Sequence, residues 1–301
     1  MPEYISVAEA AEKWGVSDRT VRNYCSNGAI SGAFLAGKQW LIPCEAERPT
    51  RKGAAKEKRD LLSVLRAEKK AGVSGGIYHK LQIDLTYNSN HIEGSRLTHD
   101  QTRYIFETAT IELDPDQEAT SFRIDDLVET QNHFRCIDYV IETAGKQLTQ
   151  AYVKRLHGML KTGTTDASED WFAVGEYKRY PNEVGGRSTT APEEVAEEME
   201  ALLGWYRGLA TVALDEIIEF HVHFERVHPF QDGNGRVGRL IALKECLKHG
   251  IAPFMITEEL KLFYYRGLSQ YSQEPGFLEG TVLTAQDQFR QIMDYFRIEG
   301  A

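Results

Sequence analysis

The sequence predicts a mainly α-helical protein: a large all-helical body with one small β-hairpin, preceded by a small helix-turn-helix module with a β wing. Two segments of the body carry apolar side chains on one helical stripe. These are Val195, Met199, Leu202, Leu203 and Tyr206 in residues 192–206, and Leu214, Ile217, Ile218, His221 and Phe224 in residues 214–224. No segment alternates strands with helices, which argues against a parallel α/β sheet.

The composition of the 301-residue chain is globular, with 42% apolar and 27% charged residues. No apolar run approaches the length of about 20 residues that a membrane-spanning helix needs, and the acidic N-terminus is unlike a signal peptide. The four cysteines form no CxxC pair, which favours a reducing compartment over a disulfide framework or a zinc site. These features predict a soluble cytoplasmic protein that has no membrane partner.

The first module covers residues 1–47. Its first helix places four apolar residues at helical spacing: Val7, Ala10, Ala11 and Trp14. Ser17 suits the N-cap of a second helix that Gly28 closes, and a hairpin then turns at residues 36–38. This order resembles the winged helix-turn-helix modules of excisionase and MerR-type regulators. The resemblance implies DNA contacts in the major groove from Arg19, Thr20, Arg22 and Asn23.

Charge is distributed unevenly along the chain, whose formal net charge is −10. Residues 1–50 hold five basic and six acidic side chains, whereas residues 51–70 hold eight basic and three acidic ones. We therefore expect a basic connector at residues 48–74 that leads into a helix, and an acidic body from 75 to 301. DNA affinity depends on phosphate neutralisation, to which Lys38 and the connector could add. Docking of the module to a partner or to the body remains the alternative.

The most informative stretch is residues 228–239, which read HPFQDGNGRVGR and lead into an apolar helix. Backbone N–H groups of a glycine-rich loop at a helix N-terminus form an anion site. Gly238 and two arginines near a helix start are each unfavourable, which a bound polyphosphate would explain. His228 can accept a proton near neutral pH, Asp232 can bind Mg²⁺, and Asn234 can donate to a phosphate oxygen.

This stretch is a complete match to the signature of the Fic family, whose members mostly transfer AMP from ATP to a Ser, Thr or Tyr hydroxyl of a protein. The resemblance implies that His228 is the general base, that Phe230 anchors the loop, and that Asp232 holds Mg²⁺ between the α- and β-phosphates. It further implies a nucleotide site in which Gly233, Asn234 and Gly235 line the anion hole, Arg236 holds the β-phosphate and Arg239 the γ-phosphate. Doc-type relatives, which phosphorylate, carry Lys where this chain has Gly235, so the glycine favours nucleotidyl transfer.

Two further segments resemble Fic elements. The loop 175–192 is rich in Gly, Pro and Asn and resembles the flap that clamps the target chain by strand addition, with Val184 as a wedge beside Gly185 and Gly186. Tyr264 and Tyr265 resemble a tyrosine pair near the adenine, and simple core packing is the alternative for both.

An internal inhibitory motif is expected near residues 84–94. Ser89 and Glu93 are four residues apart and share one helix face, and Gly94 follows them. This fits the Ser/Thr-x-x-x-Glu-Gly/Asn pattern of the Fic inhibitory helix. A carboxylate on Arg239 would occupy the γ-phosphate position and turn the phosphates away from in-line attack. His221, on an apolar stripe, is expected to be a core residue.

Together these patterns predict an autoinhibited protein adenylyltransferase that uses ATP and Mg²⁺. The alternatives are removal of AMP from a target, use of UTP or another diphosphate-containing donor, and a DNA-binding regulator whose body senses ATP. The expected partner is a protein substrate. Self-AMPylation, DNA and a homodimer are further partner hypotheses.

Overall fold

The computed structural model describes residues 3–37, 39–49, 60–110 and 123–299. The chain divides into two compact units, residues 1–57 and residues 58–301, and each is described by itself. Lys38 of the predicted wing and residues 51–59 of the predicted connector lie outside the described residues.

The N-terminal unit is a helix-turn-helix with a small sheet. Its elements are β1 (Tyr4–Ser6), α1 (Val7–Trp14), α2 (Asp18–Ser26), β2 (Phe34–Ala36) and β3 (Gln39–Pro43). The strands are antiparallel in the order β1-β3-β2, and the predicted hairpin is the β2–β3 pair. The apolar spacing of residues 5–15 predicts only a helix there, but residues 4–6 form a strand. Ser6 ends that strand and caps α1 by accepting a hydrogen bond from Glu9 N at 3.3 Å.

The part of the body that the structure describes contains ten α-helices and one short, exposed hairpin. The helices are α3 (Leu61–Ala71), α4 (Ile77–Ile92), α5 (His99–Thr108), α6 (Ile124–Thr143), α7 (Gln150–Lys161), α8 (Val195–Arg207), α9 (Leu214–Val227), α10 (Asn234–His249), α11 (Lys261–Gln270) and α12 (Gly276–Tyr295). The hairpin pairs β4 (Glu183–Val184) with β5 (Arg187–Ser188), antiparallel. The mainly helical fold class is therefore confirmed. Among the described residues, every helix falls short of the length and apolarity that a membrane span requires.

Helix α10 is the centre of the body, because it packs against α6, α7 and α9 and is buried on almost every side. The five predicted apolar residues of α8 are all buried in the main core. The same core takes up three residues of α3: Leu61, Val64 and Leu65. The connector predicted at 48–74 therefore ends in a helix that packs as part of the body, because its apolar face needs a partner surface.

Candidate active site

The loop 228–233 joins α9 to α10 and has an unusual backbone at both of its ends. His228 has φ +49° and ψ +62°, a left-handed conformation that few non-glycine residues adopt. Gly233 has φ +83° at the N-cap of α10, where a side chain would be strained. The loop thus turns sharply, and the first residues of α10 follow directly behind it.

The side chain of Asn234 closes this loop. Its Oδ1 accepts a hydrogen bond from Phe230 N, and its Nδ2 donates to Phe230 O, both at 2.8 Å. The sequence pattern predicts that this amide donates to a phosphate oxygen, but its polar atoms are already engaged and the residue is buried. An anion contact from Asn234 would therefore come from its backbone N–H, and its side chain holds the loop's shape.

His157 of α7 packs against the loop, and no motif in the sequence predicted a role for this residue. Its ring stacks on Phe230 with centroids 3.9 Å apart and planes 2° from parallel. Its Nδ1 accepts from Gly175 N at 2.9 Å, and its Nε2 donates to Asp232 O at 3.2 Å. Burial lowers the pKa of His157 to about 3, so the ring is neutral and acts as a fixed spacer. A lone histidine after an apolar residue carries no distinguishing signal in one sequence.

His228 is arranged as a proton acceptor. Its Nδ1 donates to the Glu225 carbonyl at 3.3 Å, which leaves the lone pair on Nε2. Burial lowers the pKa of His228 to about 4, so the ring is neutral at pH 7. Among the described residues no group hydrogen-bonds Nε2, and a neutral imidazole with Nε2 available is what a general base requires.

Four charged side chains form a cluster on one side of the loop: Glu129, Lys161, Asp232 and Arg236. Lys161 Nζ donates to Asp232 Oδ2 at 2.7 Å and to Glu129 Oε1 at 2.6 Å. Arg236 contacts the other Glu129 oxygen and lies 3.3 Å from Asp232 Oδ2. Burial would raise the pKa of Asp232, but Arg236 and Lys161 outweigh it and lower the pKa to about 2. Glu129 and Lys161 escaped sequence reasoning because they lie far from the motif along the chain.

Asp232 is the residue of this cluster that fits a divalent metal. Its side chain is 49% exposed, whereas the side chains of Lys161 and Arg236 are almost fully buried. Within the described residues no group of three His, Cys, Asp or Glu side chains converges on one point. One accessible carboxylate suits Mg²⁺, which typically binds one or two carboxylates and completes its shell with phosphate and water oxygens.

The predicted inhibitory residues contact Arg239. Arg239 donates to Ser89 Oγ at 3.0 Å, to Ser89 O at 2.9 Å and to Glu93 Oε1 at 2.7 Å. Glu93 directly follows α4, and Gly94 has φ +96°, so the chain turns away immediately afterwards. The Glu93 carboxylate also lies against Gly235, where an added Cβ would be only 2.4 Å from Oε1. Glu93, through its carboxylate, raises the pKa of Arg239 against the opposing effect of burial.

The two tyrosines of α11 differ in their environments. Tyr264 is 1% exposed, and its hydroxyl lies 2.6 Å from His221 Nε2. The ring of Tyr264 is packed in the core, as is His221, which favours the core-packing alternative for Tyr264. Tyr265 is 40% exposed and donates to the Ile92 carbonyl at 3.3 Å. An aromatic contact with a base would therefore fall to Tyr265.

The hairpin β4–β5 stands over the site and is fixed at its base. Lys178 is buried, and its Nζ donates to Asn182 Oδ1 at 2.8 Å and to Thr189 Oγ1 at 2.6 Å. Its backbone N–H donates to Pro229 O at 2.9 Å, which links the hairpin to the loop. At the tip, Val184 is 46% exposed beside Gly185 and Gly186, whose positive φ values form the turn.

In the N-terminal unit, α2 presents the four predicted DNA-contacting residues away from its core. Val21 and Cys25 are buried, whereas the side chains of Arg19, Arg22 and Asn23 are exposed and that of Thr20 is partly exposed. Arg22 lies 3.8 Å from Asp18, in an exposed pair that leaves the guanidinium accessible.

Comparison with known proteins identifies both units. Residues 147–246 match the Fic/DOC family, and residues 4–46 match the helix-turn-helix domain. Protein adenylyltransferase fic-1 of Caenorhabditis briggsae is 27% identical over 195 residues, which are 60% of this chain and 35% of that protein. Protein adenylyltransferase Fic of Drosophila mojavensis is 26% identical over 227 residues, which are 70% of this chain and 40% of that protein. The chain thus spans well under half the length of these relatives.

Solved structures share the fold of the body. A Fic domain containing signaling protein from Bacteroides thetaiotaomicron is 25% identical with a TM-score of 0.57, covering 78% of this chain and 90% of that one. Fic-1 from C. elegans is 18% identical with a TM-score of 0.60, covering 78% of this chain and 72% of that one. At that identity the second likeness concerns the fold alone.

Proposed function

Because the chain carries a Fic/DOC-family domain and an N-terminal helix-turn-helix domain, we propose that it is a protein adenylyltransferase, transferring AMP from ATP to a protein hydroxyl. The observation that carries this proposal is His228: a neutral imidazole with Nε2 uncommitted, at the entrance to a loop with two buried arginines behind it. The relatives named protein adenylyltransferase support the same class of reaction.

In this mechanism His228 Nε2 accepts the proton of a Ser, Thr or Tyr hydroxyl of the target. The hydroxyl oxygen attacks the α-phosphorus of ATP, and the bond from that phosphorus to the α,β-bridging oxygen breaks, so pyrophosphate leaves. The Nδ1 hydrogen bond to the Glu225 carbonyl keeps the ring oriented while Nε2 takes the proton. General base catalysis of this kind contributes about 10²- to 10⁴-fold to a rate.

The phosphates would lie at the N-terminus of α10. There Gly233, Asn234 and Gly235 offer backbone N–H groups, and Arg236 and Arg239 supply fixed positive charge. Asp232 would hold Mg²⁺, which when bound neutralises phosphate charge and polarises the phosphoryl oxygens. The hairpin tip around Val184 would bind the target chain by adding a strand.

The contact between Glu93 and Arg239 would act as an inhibitory device. Arg239 has its guanidinium committed to Ser89 and Glu93, so a γ-phosphate would have to displace a carboxylate of the same charge sign. Removing the Glu93 side chain should therefore free Arg239 for the nucleotide and raise the transfer rate.

The test is incubation of wild-type, Glu93→Gly and Glu93→Gly/His228→Ala proteins with Mg²⁺ and ATP labelled at the α-phosphate. We expect label on protein with Glu93→Gly, little with wild type, and a loss of at least about 10²-fold in the double variant. ATP labelled at the γ-phosphate is the control, because nucleotidyl transfer leaves that label in pyrophosphate.

Absence of α-label on protein in all three samples would contradict adenylyl transfer in this form. Labelled UTP tested in parallel would then reveal another nucleotide donor, and release of AMP from a labelled target would reveal the reverse reaction. Equal labelling by wild type and Glu93→Gly would contradict the inhibitory role of Glu93 alone.

A second function, DNA binding, is favoured by the helix-turn-helix match and by the exposure of Arg19, Arg22 and Asn23 on α2. We expect the full chain to bind the DNA upstream of its own gene with an affinity that falls as salt rises. Arg22→Ala should weaken binding, whereas Lys13→Ala, which removes an exposed cation of α1 in the same unit, should weaken it less. His228→Ala should leave binding unchanged. Binding that is equally tight in low and high salt would contradict this function.

A further inference from the structure

The charged cluster beside the loop contains a buried lysine, Lys161, that contacts Asp232, the carboxylate proposed to bind the metal. Lys161 Nζ is 2.7 Å from Asp232 Oδ2, yet the lysine side chain is 3% exposed and the aspartate side chain is 49% exposed. The ammonium therefore approaches Asp232 from the protein interior, while the carboxylate faces the opening of the site. Asp232 therefore has a counter-cation within the protein itself.

If the contact with Asp232 were broken, Lys161 would still have Glu129 as a counter-charge. Glu129 Oε1 accepts from Nζ at 2.6 Å, and the second Glu129 oxygen contacts Arg236. Among the described residues the ammonium also lies near Asp166, with an oxygen 3.8 Å away, and the Phe172 ring, 5.4 Å from Nζ. Because a buried ammonium is unfavourable without a counter-charge, Glu129 is what makes an exchange of Asp232 between two cations feasible.

The charge balance of the cluster also indicates that Lys161 offsets the charge of Asp232. Lys161 and Arg236 face Glu129 and Asp232, so the four side chains are neutral together. If Lys161 lost its charge, Asp232 would keep only Arg236, at 3.3 Å, and its negative charge would face an incoming triphosphate. A divalent ion on Asp232 would offset that repulsion, whereas a metal-free nucleotide would not.

We propose that Lys161 is a built-in counter-cation of the nucleotide site, which neutralises Asp232 when no metal is present and yields that carboxylate to the metal while remaining paired with Glu129. This inference rests on the proposed nucleotide site at α10. Lys161 is thus a positioning residue that sets how strongly nucleotide binding depends on the metal.

The test compares two dissociation constants, measured by calorimetry for α,β-methylene-ATP in EDTA and in Mg²⁺. All proteins carry Glu93→Gly, so that no carboxylate at position 93 competes with the nucleotide for Arg239. Lys161→Gln should weaken binding in EDTA by at least about tenfold, because the negative charge of Asp232 then faces the triphosphate without the Lys161 ammonium, and should change binding in Mg²⁺ by less than about threefold. Lys161→Arg keeps the charge and should keep the ratio of the two constants close to that of the parent. Lys154→Gln, on the same helix but paired with Glu176, is the control for loss of a lysine.

An equal loss of affinity in EDTA and in Mg²⁺ would mean that Lys161 is merely structural and would overturn the inference. No change in either constant would overturn it as well. If the Glu93→Gly parent bound no nucleotide in either buffer, the proposed function itself would fall, and the inference with it.

A second measurement covers the case in which Lys161→Gln does not fold. The side-chain nuclear magnetic resonance signal of Lys161 in Glu93→Gly protein bound to α,β-methylene-ATP should shift on addition of Mg²⁺. The same addition to the Glu93→Gly/Asp232→Asn protein should leave the signal in place. A Lys161 signal that does not shift when Mg²⁺ is added to the protein with Asp232 intact would overturn the inference.

Discussion

Gly238 lies where α10 comes closest to α9. A Cβ at this position would lie 2.9 Å from both Glu225 Oε1 and His221 Cε1. The motif alone suggests that a polyphosphate accounts for a glycine inside a helix, and the structure provides a packing reason instead. His221 and Glu225 are one turn apart on α9, and their side chains fill the space that a larger residue at 238 would need.

We predict that Gly238→Ala lowers the free energy of unfolding by about 1–3 kcal/mol, although alanine favours a helix by about 1 kcal/mol over glycine. The reason is overpacking against His221 and Glu225, which belong to the buried α9–α10 contact. Urea unfolding at pH 7.5 is the measurement. The matched control is Gly280→Ala in α12, where nothing lies within 4 Å of an added Cβ. That variant should gain up to about 1 kcal/mol from helix propensity. A stabilising effect at Gly238 would contradict the packing account.

At the scale of single residues, the sequence predicted the functional residues of the loop better than the residues that pack around the loop. His228, Asp232 and Arg239 lie within twelve positions, so their spacing alone indicates a site. Glu129, which contacts Arg236, and His157, which contacts Asp232, come from α6 and α7, and only tertiary packing brings them to the loop. Long-range pairs of this kind leave no periodic signal in one sequence.

At the scale of elements, the helices with one clear apolar stripe were the ones that the sequence predicted best. Helix α8 has one apolar stripe, and all five predicted residues of that stripe are buried. Helix α4 is different, because it buries polar residues as well as apolar ones: Gln82, Asp84, Thr86, Asn88, Ser89 and Asn90. A helix buried on several sides shows no single stripe, so the motif at Ser89 and Glu93 located only its C-terminal part. The helix begins at Ile77, well before the expected residue 84.

Two further elements, β1 and α3, depend on a packing partner that the local sequence does not reveal. Strand β1 is three residues long and becomes a strand only because β3 lies beside it, with Ile5 opposite Ile42. A helix is expected at the end of the basic connector, but the sequence does not show that the apolar face of α3 packs into the main core. In both cases the partner surface decides the structure, and the local pattern does not contain that surface.

At the scale of the whole molecule, the body holds a set of histidines that folding removes from water. Burial lowers the pKa of His133, His157 and His221 to about 3, and that of His228 to about 4, from the ordinary value of 6.5. Below pH 6.5 the unfolded chain binds protons at these rings, whereas the folded chain does not until the pH reaches the lowered values. Each ring therefore reduces the stability of the body as the pH falls.

Glu225 acts in the opposite direction, since burial raises its pKa to about 7. The folded chain then binds this proton between about pH 4.5 and 7 while the unfolded chain does not, so this contribution favours folding at low pH. One group acts against four. We therefore predict that the melting temperature of the body falls steeply between pH 6.5 and 4.5, with each histidine contributing up to about 1.4 kcal/mol per pH unit.

Differential scanning calorimetry of the full chain at pH 7.0, 6.0 and 5.0 measures this effect. His133→Gln should flatten the dependence by roughly a third, because four histidines less one glutamate leave a net of three groups and an amide carries no titrating group. The amide can still hydrogen-bond Thr86 Oγ1, which lies 3.0 Å from Nδ1 of the histidine. His223→Gln is the control, since the side chain of His223 is 47% exposed in the folded body. A melting temperature that stays constant from pH 7.0 to 5.0, or an equal flattening by both variants, would contradict the assignment. The expected acid sensitivity would thus follow from the same burial that keeps His228 neutral, and ready to accept a proton, at pH 7.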